Sequence, residues 1–258
     1  MGDATDNSQG KLTLYTNHGC PWAHRAHIIV KELGLDYEET IIDLERPRDE
    51  WYLRINPRGL VPTLQHTHPV FSSSEPETVI ESALVVHYLI DAFPYLSGHI
   101  YPVAKDPKSA YHRYTLNLLL DTWMNKVNSS LMRAQVMAGT DEVPTAADDP
   151  FEAIKTHIEP QLAKVTGHGK GPFFGGAERL TLFEILVAPF VLRAHEFSND
   201  KILAKSFAER LDTLPAYSKW AAAVLAQKSV TYIWDRDTMT ERTLRRAPEM
   251  RKKFGISK

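Results

Sequence analysis

The stretch NHGCPWAHRAH, Asn17–His27, decides how the first third of the chain is read. At its centre stands Cys20, the single cysteine among 258 residues. Upstream, KLTLYTN (11–17) alternates apolar and polar β-formers, which predicts a strand. Downstream, Ala26, Ile29, Val30 and Leu33 recur at helical spacing, and Gly34 stands where a helix closes in left-handed backbone. Cys20 thus falls at a strand-to-helix junction, with Pro21 in the first helical turn, where its missing N–H costs nothing. Unpaired backbone N–H groups and the positive end of the helix dipole favour a thiolate there, and His24 and Arg25 add positive charge. A small buried hydrophobe is the competing reading. The Cys-Pro junction favours a reactive thiol.

Outward from this junction the period keeps switching. DYEETIIDL (36–44) reads as a second strand, and RDEWYLRIN (48–56) as a short helix ending before Pro57. VPTLQHT (61–67) and ETVI (77–80) read as third and fourth strands. Val85, Tyr88, Leu89 and Ala92 then mark a helix stopped before Pro94. The order β-α-β-α-β-β-α implies a parallel pair joined by a crossover helix and an antiparallel edge. YLSGHIYPVAKDP (95–107) reads as a linker, and beyond it only helical patterns occur. Leu116, Leu119, Leu120 and Trp123 share one helix face. FEAIKTHIEPQLAKV (151–165) is amphipathic around a proline, and LPAYSKWAAAVLAQ (214–227) is a further helix. RLTLFEILVAPFVLRA (179–194) is so apolar that it is expected at the centre of a helical core, with Thr181 and Glu184 as its capping box.

The totals set the class. A hydrophobic share of 43% supports a packed core, and a net charge of −2 argues against nucleic acid as the partner. No run reaches the length of a membrane span, and a lone cysteine forms no internal disulfide, so a cytoplasmic protein without membrane contact is expected. The basic end ERTLRRAPEMRKKFGISK (241–258) reads as a solvated helical end.

Two further stretches carry chemistry. In NPRGLVPTL (56–64), Val61-Pro62 opens a central strand. A cis bond there would present the Val61 backbone to an extended peptide, whereas an ordinary strand-opening proline would do nothing more. In VIESALVVHYL (79–89), Glu81 and Ser82 stand at a strand-to-helix turn. Helix-start N–H groups and a hydroxyl suit a carboxylate and Glu81 suits an ammonium group, unless the pair only caps the helix. Cys20 has no partner in a CxxC arrangement, so an outside thiol must resolve any disulfide on it; glutathione is the abundant cytosolic choice.

Other groups are read as structural. His24 and His27 are spaced as a metal pair but lack a third ligand, and no metal is expected. His66 and His68 are read as surface residues. GHGKGPFFGG (167–176) lacks the Ser/Thr of a phosphate loop. Trp123, Trp220 and Trp234 are assigned to core; Met132 and Met137 are of the type that lines a permissive apolar pocket, which the sequence alone does not show.

Cys-Pro, Val-Pro and Glu-Ser in this order, followed by GPFFGGAERLTLFEILVAPF (171–190), resemble the glutathione transferases over nearly the whole chain. CPWAHR, NPRGLVP and ESALVVHYL look most like the omega class, whose relatives include fungal omega-like enzymes and glutathionyl-hydroquinone reductases. The family usually has aspartate where this chain has Glu184, and a tighter hairpin than QHTHPVFSSSEPET (65–78). The resemblance implies an α/β thioredoxin-like glutathione-binding domain over 11–95 and an all-α helical bundle over 107–234. A disordered lead-in (1–10), a linker (96–106) and a basic tail (235–258) complete the expected division. It implies Cys20 as the catalytic thiol with Trp22 beside it, and Val61 and Pro62 against the cysteinyl backbone of glutathione. Glu81 and Ser82 would hold the γ-glutamyl end, and Arg48, with Arg46 as rival, the glycine carboxylate. It further implies glutathione as co-substrate, a hydrophobic or aromatic second substrate, and a homodimer. Thioltransferase, deglutathionylation and dehydroascorbate or glutathionyl-quinone reduction are the expected activities, with weak conjugation. A specialised enzyme of aromatic metabolism and a non-catalytic binding module are the alternatives.

Overall fold

The computed structural model describes residues 9–71, 75–165 and 169–256. Most of the expected lead-in, the middle of the 65–78 loop, two residues of GHGKGPFFGG and the last two residues lie outside the described residues. The chain divides into two compact units, one up to Ser97 and one from Gly98 onward.

The first unit follows the expected order: β1 (Lys11–Thr16), α1 (Pro21–Leu33), β2 (Glu38–Ile41), α2 (Glu50–Ile55), β3 (Thr63–Thr67), β4 (Glu77–Ile80) and α3 (Ser82–Ala92). A single added turn, α4 (Pro94–Ser97), ends it. The sheet runs β2-β1-β3-β4. β1 is parallel to β2 and antiparallel to β3, and β3 is antiparallel to β4. This is the thioredoxin-like arrangement, a parallel pair with its crossover helix and an antiparallel edge. Leu12, Leu14 and Leu64 point into the core, as the period-two alternation of β1 requires. α1 buries Ile28, Ile29 and Val30 and packs on α3. It closes at Gly34, whose φ of +65° places its N–H on the Lys31 carbonyl, a turn that a side chain would strain.

His66 departs from its surface reading. β3 lies inside the sheet, and His66 is buried between the Tyr88 hydroxyl, 2.7 Å from Nδ1, and the Gln9 carbonyl, 2.9 Å from Nε2. Burial lowers its pKa from the ordinary histidine value. The loop after β3 is anchored by Phe71, whose ring packs on His66 and His68 at 5.5 and 6.1 Å.

The second unit is helical. α5 (Pro107–Thr122) opens on Asp106, which accepts the Ser109 N–H at 2.8 Å, and passes through a π-helical turn (Trp123–Asn128) into α6 (Ser129–Val136). α7 (Val143–Ala146) and α8 (Asp148–Ala153) follow. A second π turn (Ile154–Ile158) leads into α9 (Glu159–Val165), where Pro160 removes a backbone donor and widens the preceding turn. α10 (Leu182–Glu196) is buried along nearly its whole length, as its composition predicts. α11 (Lys205–Leu211), α12 (Pro215–Leu225), α13 (Lys228–Thr231) and α14 (Arg236–Lys253) complete the unit. The basic end is more than a solvated helix. α14 packs on α6, buries Met239 and Ala247, and donates from Arg251 Nη1 to the carbonyls of Val136 and Ala138. Among the described residues no helix is long and apolar enough to cross a membrane.

Glu184 organises the start of α10. Fully buried, it accepts hydrogen bonds from the N–H and hydroxyl of Thr181, the Phe174 N–H at 2.9 Å and Trp220 Nε1 at 2.9 Å. The longer glutamate thus caps the helix and also reaches a core tryptophan. Burial holds its carboxyl above the ordinary range, opposed by these hydrogen bonds. Glu184→Ala would strand three buried N–H donors. We expect a loss on the order of 3 kcal/mol, read as a lower urea midpoint at unchanged slope, with Glu184→Gln losing less.

Candidate active site

Cys20 is the N-cap residue of α1, with Pro21 in the first turn and φ, ψ of −88°, 119°. Its approach is shaped by Asn17. Asn17 Oδ1 accepts the Gly19 N–H at 3.1 Å, its carbonyl accepts the Cys20 N–H at 2.9 Å, and its amide donates to the Ile42 carbonyl at 2.8 Å. The turn is therefore tied to the segment leaving β2. The thiol is partly buried, and Sγ lies 4.0 Å from the Val61 carbonyl.

Arg25 is a buried cation on the face of α1 that meets α3. His24 is buried as well, and Arg25 is only 3% exposed. Its Nη1 donates to Ser82 Oγ at 3.2 Å, and its guanidinium lies 4.6 Å from the centre of the Trp22 ring. Burial lowers the Arg25 pKa to about 9, opposed by attraction to a Cys20 thiolate. It remains charged at neutral pH. The i, i+3 spacing of Trp22 and Arg25 is the sequence signal that could have paired them.

Val61-Pro62 is cis. Both sheet ladders begin at Thr63, so Val61 stands just outside them, beside the thiol. Behind it, the Tyr52 hydroxyl donates to the Leu60 carbonyl at 2.5 Å. Asn56 Nδ2 donates to Leu60 O at 3.0 Å and to Thr63 Oγ1 at 2.8 Å. These bonds lock the loop that carries Val61.

Glu81 caps α3 at φ +70°, a region that costs a non-glycine residue about 1–3 kcal/mol and recurs at ligand clamps. Its carboxylate pairs with Arg58 Nη1 at 2.5 Å, a partner that the sequence reading missed although it lies in the NPRGLVP stretch. Arg48 donates from Nε to the Gly59 carbonyl at 3.0 Å and from Nη1 to Asp43 O at 2.6 Å and Arg46 O. A side chain at Gly59, where φ is +61°, would press on Arg48 Cγ. Arg46 is exposed between Asp43 and Asp49. Direct contacts thus join Cys20 to Val61 and Arg25 to both Trp22 and Ser82, with Glu81 adjoining Ser82, while Arg48 braces a neighbouring loop.

Of the remaining candidates, Trp123, Trp220 and Met137 are core residues. Trp234 is half-buried, with the Arg193 guanidinium 4.9 Å from its ring centre. His27 does not pair with His24; it faces His18 and Glu39.

The profile of the family described as Glutathione S-transferase, N-terminal domain, matches residues 19–92. Glutathione S-transferase omega-1 of Rattus norvegicus is 26% identical over 220 residues, covering 84% of this chain and 77% of the relative. This chain is an omega-like member of the glutathione S-transferase superfamily. Omega transferase 2C of Trametes versicolor superposes with a TM-score of 0.71 at 24% identity, covering 93% of this chain and 99% of that one, and shows the shared fold. A rice transferase described in complex with glutathione covers 96% of this chain and 99% of its own, with a TM-score of 0.65 at 22% identity. The kinship makes this transferase a glutathione-dependent transferase or reductase in general terms.

With Arg25 charged on the helix that Cys20 opens, Arg25→Met should slow alkylation of Cys20 by iodoacetamide at neutral pH by roughly five- to tenfold. Stopped-flow or mass-resolved labelling, beside a thermal melt showing the variant folded, reads this directly. An unchanged rate would remove Arg25 from the site's electrostatics.

Proposed function

We propose that this transferase is a glutathione-dependent thiol transferase and reductase working through a Cys20–glutathione mixed disulfide. The observation that carries the reading is the half-buried thiol at the α1 N-terminus, beside the Val61 carbonyl, in a chain holding no other cysteine. The Cys20 thiolate attacks the glutathionyl sulfur of a mixed disulfide. A Cys20–glutathione S–S bond forms, and the substrate thiolate leaves and takes a proton from solvent. The thiolate of a second glutathione then attacks the glutathionyl sulfur, releasing glutathione disulfide and restoring the Cys20 thiolate. The net exchange is one mixed disulfide and one glutathione for one free thiol and one glutathione disulfide.

In this reading the Val61 backbone, free of both ladders, pairs with the cysteinyl backbone of glutathione, and Pro62 holds it in place. Ser82, at the α3 N-terminus, receives the γ-glutamyl carboxylate, and Glu81, buttressed by Arg58, takes its ammonium group. Trp22 lies against the Arg25 guanidinium. The glycine carboxylate is assigned to the Arg46–Arg48 loop, with Arg48 as the fixed cation. Conjugation to electrophilic carbon is weak, because the Cys20 thiolate competes where an activating hydroxyl would be needed.

Intact mass after brief exposure to glutathione disulfide, then to excess glutathione, tests the intermediate. Wild type should gain one glutathionyl group and lose it again, and Cys20→Ser should gain none. A wild-type protein that stays unmodified at neutral pH would overturn the mechanism.

A further inference from the structure

His18, His27 and Glu39 converge beside the turn that carries Cys20. His18 lies in the turn itself, His27 on α1 and Glu39 on β2, so three separate segments supply the donors. Among the described residues they are the one group of three or more His, Cys, Asp or Glu whose donor atoms all lie within 4.8 Å of one another. We propose that these three side chains form a binding site for a divalent transition-metal ion, with Zn2+ the ion that the donor set suits.

The distances fit. Two donors each about 2.0–2.1 Å from a tetrahedral ion stand roughly 3.3 Å apart. Glu39 Oε1 lies 3.4 Å from His27 Nε2 and 2.8 Å from His18 Nε2. The two imidazole rings meet edge to face at 5.2 Å, so their nitrogens converge without stacking. Two histidines and a carboxylate are the ligand types of three-ligand zinc centres, which leave a fourth position for water or an incoming group.

The surroundings of His27 favour the same conclusion. Its side chain is fully buried, and Tyr37 Oη lies 3.3 Å from Nδ1. A hydroxyl there is placed to accept an Nδ1 proton, the outer-sphere contact that metal-bound histidines use, and Nε2 lies on the side of His18 and Glu39. Thr16 Oγ1 also lies 2.8 Å from Nε2, a hydrogen bond that an incoming ion would replace. His18 and Glu39 remain about one-third exposed, which gives the ion a path from solvent. A bound ion would clamp the Asn17–Cys20 turn to β2 and α1.

The test is calorimetric titration of Zn2+ into the full chain after removal of metal by chelation, with Co2+ absorption as a report of coordination geometry. Four proteins are needed: wild type, His18→Ala, Glu39→Gln and Cys20→Ser. One ion per chain is expected for wild type and Cys20→Ser alike, with the visible bands of a four-coordinate Co2+ site. His18→Ala and Glu39→Gln should each weaken binding by roughly tenfold or more. His18 and Glu39 are the chosen positions because they reach solvent, and a thermal melt confirms that at least one variant is folded. Failure of wild type to bind one ion, binding unchanged in both ligand variants, or binding lost in Cys20→Ser would each overturn the proposal, the last by assigning the ion to the thiol.

Discussion

The arrangement around Cys20 rests on a buried positive charge. A guanidinium taken out of water must be paired or hydrogen-bonded, since its desolvation otherwise costs several kcal/mol. Arg25 meets this need by bonding the first hydroxyl of α3 and by lying on the Trp22 ring. Each contact constrains something else. Ser82 ties the start of α3 to α1, and Trp22 closes one side of the cation. The packing of α1 on α3 and the placing of a charge on the helix that Cys20 opens are thereby one problem with one solution.

The loops around this centre are held by side chains bonded to backbone carbonyls rather than by sheet ladders. Tyr52 and Asn56 seize the Leu60 carbonyl, Arg48 spans Gly59, Asp43 and Arg46, and Asn17 ties the Cys20 turn to Ile42. Irregular backbone needs such partners, because buried carbonyl and N–H groups left unpaired are costly. Their effect is to keep the Val61 backbone and the Cys20 thiol in register without occupying either in a ladder. Glu184 applies the same principle in the helical unit, where one carboxylate replaces the missing partners of a helix start, a neighbouring turn and an indole.

The fold was legible because its periods are clean. β1 alternates, α1 repeats at helical spacing between Cys-Pro and Gly34, and α10 is apolar on every face, so each element has one stable solution. The candidate site was legible as three motifs but not as a set of contacts. That Arg25 reaches Ser82 depends on which face of α1 meets α3, and spacing along one helix does not carry that. Arg58 beside Glu81 is a loop-to-helix-start pairing and Glu39 beside His27 a strand-to-helix pairing, twenty-three and twelve residues apart, and both depend on how the elements pack. His66 was misjudged for a related reason. Alternation gives two faces to a strand, but only the strand order, with β4 added outside β3, decides how deeply the strand lies.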